Sequence, residues 1–283
     1  MSNHTKAFLE ITNRCNLNCA FCPGTSRKPQ MLDKKSFTLL AERLSGWAEY
    51  IYYHLMGEPT AHPFLPDFIG ISTSLGMKSI ITTNGTLLAE CGDALISAKP
   101  HKVSISLHAF EANELDTSFE EYVSSCLDFA KKASQNGIIV VLRLWNLDGR
   151  AEGALNTRNE SVLQALKAAF PREWGENRSG KRLCDKVFLE WGEKFDWPDM
   201  NVGEPSDDGF CYALRDQVGV LCDGSVVPCC LDRNGDMTLG NLFEKSLDEI
   251  LSSPLAKSIY DGFTKHKCVH PLCKHCMRAQ YYR

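Results

Sequence analysis

The sequence predicts an α/β fold in which a parallel sheet curves into a barrel or part of one. Six apolar segments of strand length lie in the first two thirds of the chain, and segments of helical character separate them. Apolar runs of this kind are typical of strands that are covered on both faces. The length of 283 residues also suits an α/β barrel. Together these observations favour a parallel sheet with helices around it.

The predicted elements alternate along the chain. Strands are expected at residues 7–12, 50–56, 78–83, 102–108, 138–145 and 186–191. Helices are expected between them, at residues 36–46, 64–75, 87–98, 119–135 and 159–170. A stretch rich in Pro, Gly and Asp at residues 197–209 predicts a linker. The sequence therefore predicts two domains, residues 1–200 and residues 201–283.

Composition limits the class of protein. With 43% hydrophobic and 23% charged residues, the chain can bury a full core. No apolar run approaches the roughly 20 residues of a membrane span. Thirteen cysteines without a signal peptide predict a cytoplasmic protein whose thiols bind metal. The net charge of −4 gives no general attraction for nucleic acid, although the C-terminal stretch is locally basic.

Three cysteines lie within eight residues, directly after the first predicted strand: Cys15, Cys19 and Cys22. Three thiolates can hold three irons of a [4Fe–4S] cluster and leave the fourth iron open to another ligand. A zinc site would need four ligands, usually as two separated pairs. A disulfide cluster would imply a secreted chain. The spacing therefore favours an iron–sulfur site over both alternatives.

This spacing, Cys-x3-Cys-x2-Cys, resembles the motif of the radical S-adenosylmethionine (SAM) enzymes. The resemblance implies a partial (β/α)6 TIM-like barrel with an open mouth. It also implies that the open iron of the cluster binds SAM. The reduced cluster of that family cleaves SAM to methionine and a 5′-deoxyadenosyl radical, which abstracts hydrogen from a substrate.

Further motifs follow the later strands, where the loops of a parallel barrel carry its chemistry. The turn Met56-Gly-Glu-Pro59 is similar to the Gly-Gly-Glu-Pro motif of that family, with Met in the first place. The turn Thr82-Thr-Asn-Gly85 resembles the family's Thr-Asn-Gly turn. The resemblance implies that SAM is bound by the following residues: Gly57, Glu58, Pro59, Thr83, Asn84, Ser106 and Arg143.

Two residues at these strand ends have alternative roles. A buried arginine is costly without an anion, so Arg143 is expected to contact the SAM carboxylate or to form an internal salt bridge. His108 stands where the family frequently has Asp. It is a candidate catalytic proton donor or acceptor, and the alternative is a hydrogen-bonded structural role.

The C-terminal part contains a second group of cysteines. The segment from Cys211 to Cys230 resembles the opening of a SPASM domain, with a β-hairpin predicted at residues 218–221 and 225–227. The chain stops soon after Cys276, as in the shorter twitch variant of that domain. The resemblance implies one auxiliary [4Fe–4S] cluster with these ligands: Cys211, Cys229, Cys273 and Cys276. Cys268 and Cys230 are competing ligands, and zinc on the same thiols is the alternative metal.

These features predict a radical SAM enzyme that abstracts hydrogen from an unidentified substrate. The auxiliary cluster would take part in electron transfer or oxidation, or would bind the substrate. A small molecule, a peptide and a tRNA are the candidate substrates, and an electron donor such as flavodoxin or ferredoxin is expected. A non-enzymatic iron–sulfur carrier or redox sensor is the alternative of another class, but it does not account for the SAM motifs.

Overall fold

The computed structural model describes residues 5–147, 156–193 and 196–281. Its strands are β1 (Lys6–Leu9), β2 (Tyr50–Tyr52), β3 (Lys78–Thr83), β4 (Lys102–Ser106), β5 (Ile139–Leu147), β6 (Gly175–Asn177), β7 (Gly180–Cys184), β8 (Val187–Glu193), β9 (Gln217–Val220), β10 (Ser225–Val227) and β11 (Gly240–Asn241). They form one sheet in the order β11-β10-β9-β1-β2-β3-β4-β5-β8-β7-β6.

Six of these strands form the parallel core that the apolar runs predicted. β1, β2, β3, β4, β5 and β8 are neighbours in this order and pair in parallel. Residues 7–12 and 50–56 were expected as strands, but β1 and β2 end earlier because the chain turns there into the loops above the sheet. β11 and β6 are the two edges of the sheet in the described residues, so the sheet is open. The α/β class and the open parallel arrangement are therefore confirmed.

Helices connect the parallel strands and cover the sheet. They are α1 (Lys34–Leu44), α2 (Leu65–Ser74), α3 (Leu88–Ala98), α4 (Phe119–Gln135), α5 (Asn159–Ala169), α6 (Leu247–Leu251), α7 (Pro254–Thr264), α8 (Pro271–Lys274) and α9 (Met277–Tyr281). All five predicted helices are confirmed. The longest, α4, begins at a capping box in which the Ser118 hydroxyl and the Glu121 carboxylate satisfy each other's backbone N–H groups. No helix in the described ranges combines the length and hydropathy needed to cross a bilayer.

The C-terminal part continues the same sheet. β9 pairs in parallel with β1, and β10 pairs antiparallel with β9, which confirms the predicted hairpin. Residues 197–209 contain neither a helix nor a strand, as expected for a linker. The sheet is thus continuous across the predicted boundary at residue 200, and the division into domains 1–200 and 201–283 stays a prediction.

The hairpin of β6 and β7, which adds antiparallel strands beside β8, was not predicted because its sequence is polar and lacks an apolar alternation.

One further strand was predicted too long. Residues 102–108 were expected to be one strand. Instead β4 ends at Ser106, and His108 lies in a single 3₁₀ turn, Leu107–Ala109.

Candidate active site

The three N-terminal cysteines lie on the loop that follows β1. Cys15 accepts a hydrogen bond from the Leu17 N–H (3.5 Å), and Cys19 accepts one from Asn113 Nδ2 (3.1 Å). Loss of solvent raises the pKa of both thiols, and the nearby Cys22 raises it further. The structure thus brings the three thiols together. A bound metal would lower the pKa of these thiols again, because a metal deprotonates a thiol that coordinates it.

The donor set suits an iron–sulfur cluster better than a single ion. Three thiols with hydrogen-bond donors beside the sulfurs are the usual surroundings of such a cluster. A single zinc ion would need a fourth ligand to complete its tetrahedral set, whereas three thiolates can hold three irons of a cubane cluster. The assignment of Cys15, Cys19 and Cys22 as ligands stays a prediction that these contacts support.

Gly57 lets the loop after β2 lie directly against the three-cysteine loop. Its φ is +77°, and a Cβ there would lie 2.8 Å from the Arg14 carbonyl oxygen and still closer to that of Thr12. The next residue, Glu58, donates its N–H to Arg14 O at 2.9 Å. Glycine is therefore required by a positive φ and by the close approach of the two backbones.

The side chain of Glu58 joins the loops after β2 and β3. Its buried carboxylate accepts hydrogen bonds from the Thr60 N–H (3.0 Å), the Thr60 hydroxyl (2.6 Å) and the Asn84 N–H (2.8 Å). Burial raises the pKa of Glu58, and these three bonds oppose the shift. Pro59 begins the one-turn 3₁₀ helix Pro59–Ala61 that this carboxylate caps.

The Thr-Asn-Gly turn is also tied to the three-cysteine loop. Thr83 Oγ1 accepts the Gly85 N–H (3.0 Å), and Asn84 Nδ2 donates to Asn16 Oδ1 (2.9 Å). Three of the residues expected to contact SAM, Glu58, Thr83 and Asn84, thus have side chains that bond within the protein. The bonds observed for these side chains support a role in positioning the loops. Direct contact of the three residues with SAM stays a prediction.

A cavity of about 540 Å³ is lined by Ser106, His108 and Arg143, together with residues of the C-terminal part of the chain. His108 Nδ1 lies 3.1 Å from the Arg143 carbonyl oxygen and 3.3 Å from the Trp145 nitrogen. The pKa of His108 is lowered to about 4, chiefly by burial, while the hydrogen bond with the Arg143 carbonyl opposes the shift and the Arg143 charge contributes to it. His108 is therefore a neutral imidazole near pH 7. Its predicted catalytic role stays a prediction.

Arg143 lacks a close anionic partner among the described residues. Its Nε lies 3.9 Å from Glu190 Oε2, which is too long for a hydrogen bond. The guanidinium stacks on Trp145, with 4.4 Å between Cζ and the ring centroid. Burial lowers the pKa of Arg143. The internal salt bridge that the sequence offered as one alternative is thus a long ion pair without a hydrogen bond.

The structure brings the four predicted auxiliary ligands to one wall of the same cavity: Cys211, Cys229, Cys273 and Cys276. Burial raises the pKa of Cys229 well above its usual range, and Cys230, Cys211 and Cys273 add to the shift. Cys230 also lines this wall, whereas the competing Cys268 is buried beside Cys273, outside the lining in the described part of the chain. Cys22 lines the cavity too, so both groups of cysteines reach the same space.

A buried ion pair, which the sequence analysis did not predict, joins the N-terminal strand and its loop to the C-terminal part of the chain. The Glu10 carboxylate is fully buried and binds Arg27 through two bonds, of 2.8 and 2.6 Å. Its oxygens also accept the Met56 N–H (3.2 Å) and the Cys222 N–H (3.3 Å). Arg27 Nε donates to the Arg233 carbonyl oxygen (2.9 Å). The only sequence signal was a charged residue at the end of an apolar strand.

Both groups of cysteines lie in ranges that match protein-family models. The model of the radical SAM superfamily matches residues 9–156. The model of the SPASM domain, an iron–sulfur cluster-binding domain, matches residues 211–277. The first range contains the three N-terminal thiols with the SAM motifs, and the second contains the four C-terminal thiols.

Individual relatives cover the chain to different extents. GTP 3′,8-cyclase of Chlorobaculum tepidum is 30% identical over 128 residues, which is 42% of this chain and 39% of that protein. The subtilosin biosynthesis protein AlbA of Bacillus subtilis is 23% identical, over 94% of this chain and 64% of its own length. The SAM-dependent 2-deoxy-scyllo-inosamine dehydrogenase of Niallia circulans is 22% identical, over 95% of this chain and 90% of its own length. The chain thus matches less than two thirds of the first two relatives.

Solved structures share the fold. The structure of BtrN in complex with AdoMet and 2-DOIA has a TM-score of 0.60 and 19% identity, and the match covers 96% of this chain and 92% of BtrN. The structure of anSMEcpe with bound AdoMet has a TM-score of 0.63 and 16% identity, and that match covers 97% of this chain and 87% of anSMEcpe.

Proposed function

This chain belongs to the radical SAM superfamily, and we propose that it oxidises a substrate held in the cavity between its two groups of cysteines. The observation that carries the proposal is the lining of that cavity. Cys22 lines it from the loop after β1. The C-terminal part of the chain contributes four more thiols to the lining: Cys211, Cys229, Cys273 and Cys276. A substrate between them would be within reach of both sites.

The residues fit the cofactors that the two family models imply. Cys15, Cys19 and Cys22 would hold the SAM-binding [4Fe–4S] cluster, and the four C-terminal cysteines would hold the auxiliary one. When bound, these groups supply one-electron chemistry, namely removal of a hydrogen atom from an unreactive carbon and uptake of a second electron. The protein contributes the enclosed cavity, the fixed loops around Gly57 and Glu58, and the neutral His108.

The size of the cavity favours a small substrate. Pockets of roughly 300–1,000 Å³ hold ligands of drug size, and this cavity of about 540 Å³ must also admit SAM. Oxidation of a small hydroxylated molecule therefore fits best. The relative from Niallia circulans, a dehydrogenase that matches nearly its whole length, supports this choice.

Peptide modification is the second candidate. AlbA, named for subtilosin biosynthesis, matches 94% of this chain. A single peptide side chain is small enough to enter the cavity while the rest of the peptide stays outside. A tRNA is disfavoured by the net charge of −4.

The test uses the anaerobically reconstituted chain with SAM and flavodoxin, ferredoxin or a chemical reductant. It would be challenged with small alcohols of different charge, 2-deoxy-scyllo-inosamine among them, with peptides and with tRNA, and 5′-deoxyadenosine would be quantified by mass spectrometry. We expect at least one of the small alcohols to raise 5′-deoxyadenosine above the level without substrate. Stimulation by peptides alone would favour the second candidate. A chain that neither binds nor cleaves SAM would be a carrier or sensor.

A further inference from the structure

Four polar atoms of side chains that line the cavity lack a hydrogen-bond partner among the described residues: His54 Nδ1, Thr82 Oγ1, Arg143 Nε and Asp216 Oδ1. Buried polar atoms in proteins are nearly always paired, and each unpaired one costs about 1–3 kcal/mol. The Asp216 carboxylate is paired with Lys6 through its other oxygen, at 3.3 Å. The other three atoms are therefore expected to find their partners in a bound molecule.

The three atoms belong to one region of the wall. In the pairing of β2 with β3, Tyr52 lies opposite Ile80, so two residues farther on His54 is level with Thr82. The His54 ring also packs edge-on against Phe8 and Tyr52. Burial lowers the pKa of His54 to about 3, and the Arg143 charge adds to this effect. His54 is thus a neutral imidazole in the same cavity lining as Arg143.

The chemistry of these atoms selects a ligand with acceptor oxygens. Arg143 Nε can only donate a hydrogen bond, whereas the Thr82 hydroxyl and the neutral His54 ring can also donate. Three cations line the cavity, Lys6, Arg143 and Arg278, and the one carboxylate among the described lining residues, Asp216, pairs with Lys6 at 3.3 Å. Glu190 lies 3.9 Å from Arg143 Nε, which is too long for a hydrogen bond. An oxyanion would satisfy the donors and the charge together.

We propose that His54, Thr82 and Arg143 bind a carboxylate or phosphate group of the substrate, an inference that rests on the proposed function. This assigns Arg143 to the substrate instead of to the SAM carboxylate predicted from sequence. Arg143 lines the cavity together with His54 and Thr82. Among the described residues, Cys15 and Cys19 lie outside that lining, and only Cys22 of the three N-terminal thiols reaches it. Arg143 is therefore placed where a substrate in the cavity would contact it.

The test measures binding without turnover. The full cluster-loaded chain, with saturating SAM and no reductant, would be titrated by calorimetry with succinate, with inorganic phosphate, with a peptide that carries one glutamate, and with uncharged succinamide. We expect at least one of the acids to bind and succinamide not to bind. Arg143→Gln and Thr82→Val should each weaken acid binding, by about tenfold or more for Arg143→Gln, without changing SAM binding.

Two control variants separate this site from general effects. Ser104→Ala removes a buried hydroxyl that lies outside the cavity lining and has no hydrogen-bond partner in the part of the chain that the structure describes. Arg182→Gln removes an exposed cation. Both should bind the acids as the unmodified chain does. The proposal is overturned if no acid binds, if succinamide binds equally well, or if Arg143→Gln weakens SAM binding and spares the acids. Because no SAM is cleaved in this assay, its failure is distinct from failure of the proposed activity.

Discussion

At the scale of single residues, Gly57 carries the most exacting steric requirement of the site. We expect Gly57→Ala to displace the three-cysteine loop, because the new Cβ would lie 2.8 Å from Arg14 O and closer still to Thr12 O. The variant should lose iron from the N-terminal site and lose SAM cleavage. Iron content and electron paramagnetic resonance of the reduced protein measure the loss.

Gly46→Ala is the matched control for this prediction. Gly46 has a similar φ of +81°, but nothing lies within 4 Å of its Cβ position. It should therefore show only the backbone cost of a positive φ, about 1 kcal/mol, and should keep its iron. Equal iron loss in both variants would contradict the steric account.

His108 should make stability depend on pH. Its pKa is about 4 in the folded protein and about 6.5 in the unfolded chain. Between these values the unfolded chain binds a proton that the folded protein does not, so the free energy of unfolding falls as pH is lowered. From pH 7.5 to 5.5 this residue should account for a loss of about 1 kcal/mol. Urea unfolding of His108→Gln should show a smaller loss; identical curves would contradict the assignment of a neutral His108.

At the scale of elements, the Glu10–Arg27 pair fastens the loop after β1 to the C-terminal part of the chain. Arg27→Ala would leave Glu10 buried without its partner, and we expect a loss of about 3–5 kcal/mol in the free energy of unfolding. Arg182→Ala breaks the exposed pair with Asp185 and should cost about 0–1 kcal/mol. Urea unfolding compares the two. Equal effects would show that the buried pair does not stabilise the fold.

Sequence patterns predicted the elements whose signal is local. The parallel strands and the five helices are marked by apolar runs and helical periodicity, and the Cys-x3-Cys-x2-Cys motif marks the site by spacing alone. The polar β6–β7 hairpin has no such signal. The pairing of Glu10 with Arg27 and Cys222 depends on tertiary contacts between distant segments, which local patterns do not contain.

At the scale of the whole molecule, the two predicted domains share one sheet. β9 pairs with β1 over four residues, and Cys222 and Arg233 bond to Glu10 and Arg27. We expect a fragment of residues 1–200 to lose protection of the β1 amides, because β1 becomes an exposed edge there. Hydrogen exchange compares it with the full chain. Native-like protection of β1 in the fragment would show that the first predicted domain folds independently.

The central claim is that Cys15, Cys19 and Cys22 form the site of SAM cleavage and the four C-terminal thiols a separate site. The most direct test quantifies 5′-deoxyadenosine from SAM and reductant for the reconstituted chain and for Cys22→Ala, Cys229→Ala and Cys91→Ala. We expect cleavage by the unmodified chain, by Cys91→Ala and by Cys229→Ala, and none by Cys22→Ala. Undiminished cleavage by Cys22→Ala, or none by the chain with both sites loaded with iron, would contradict the account.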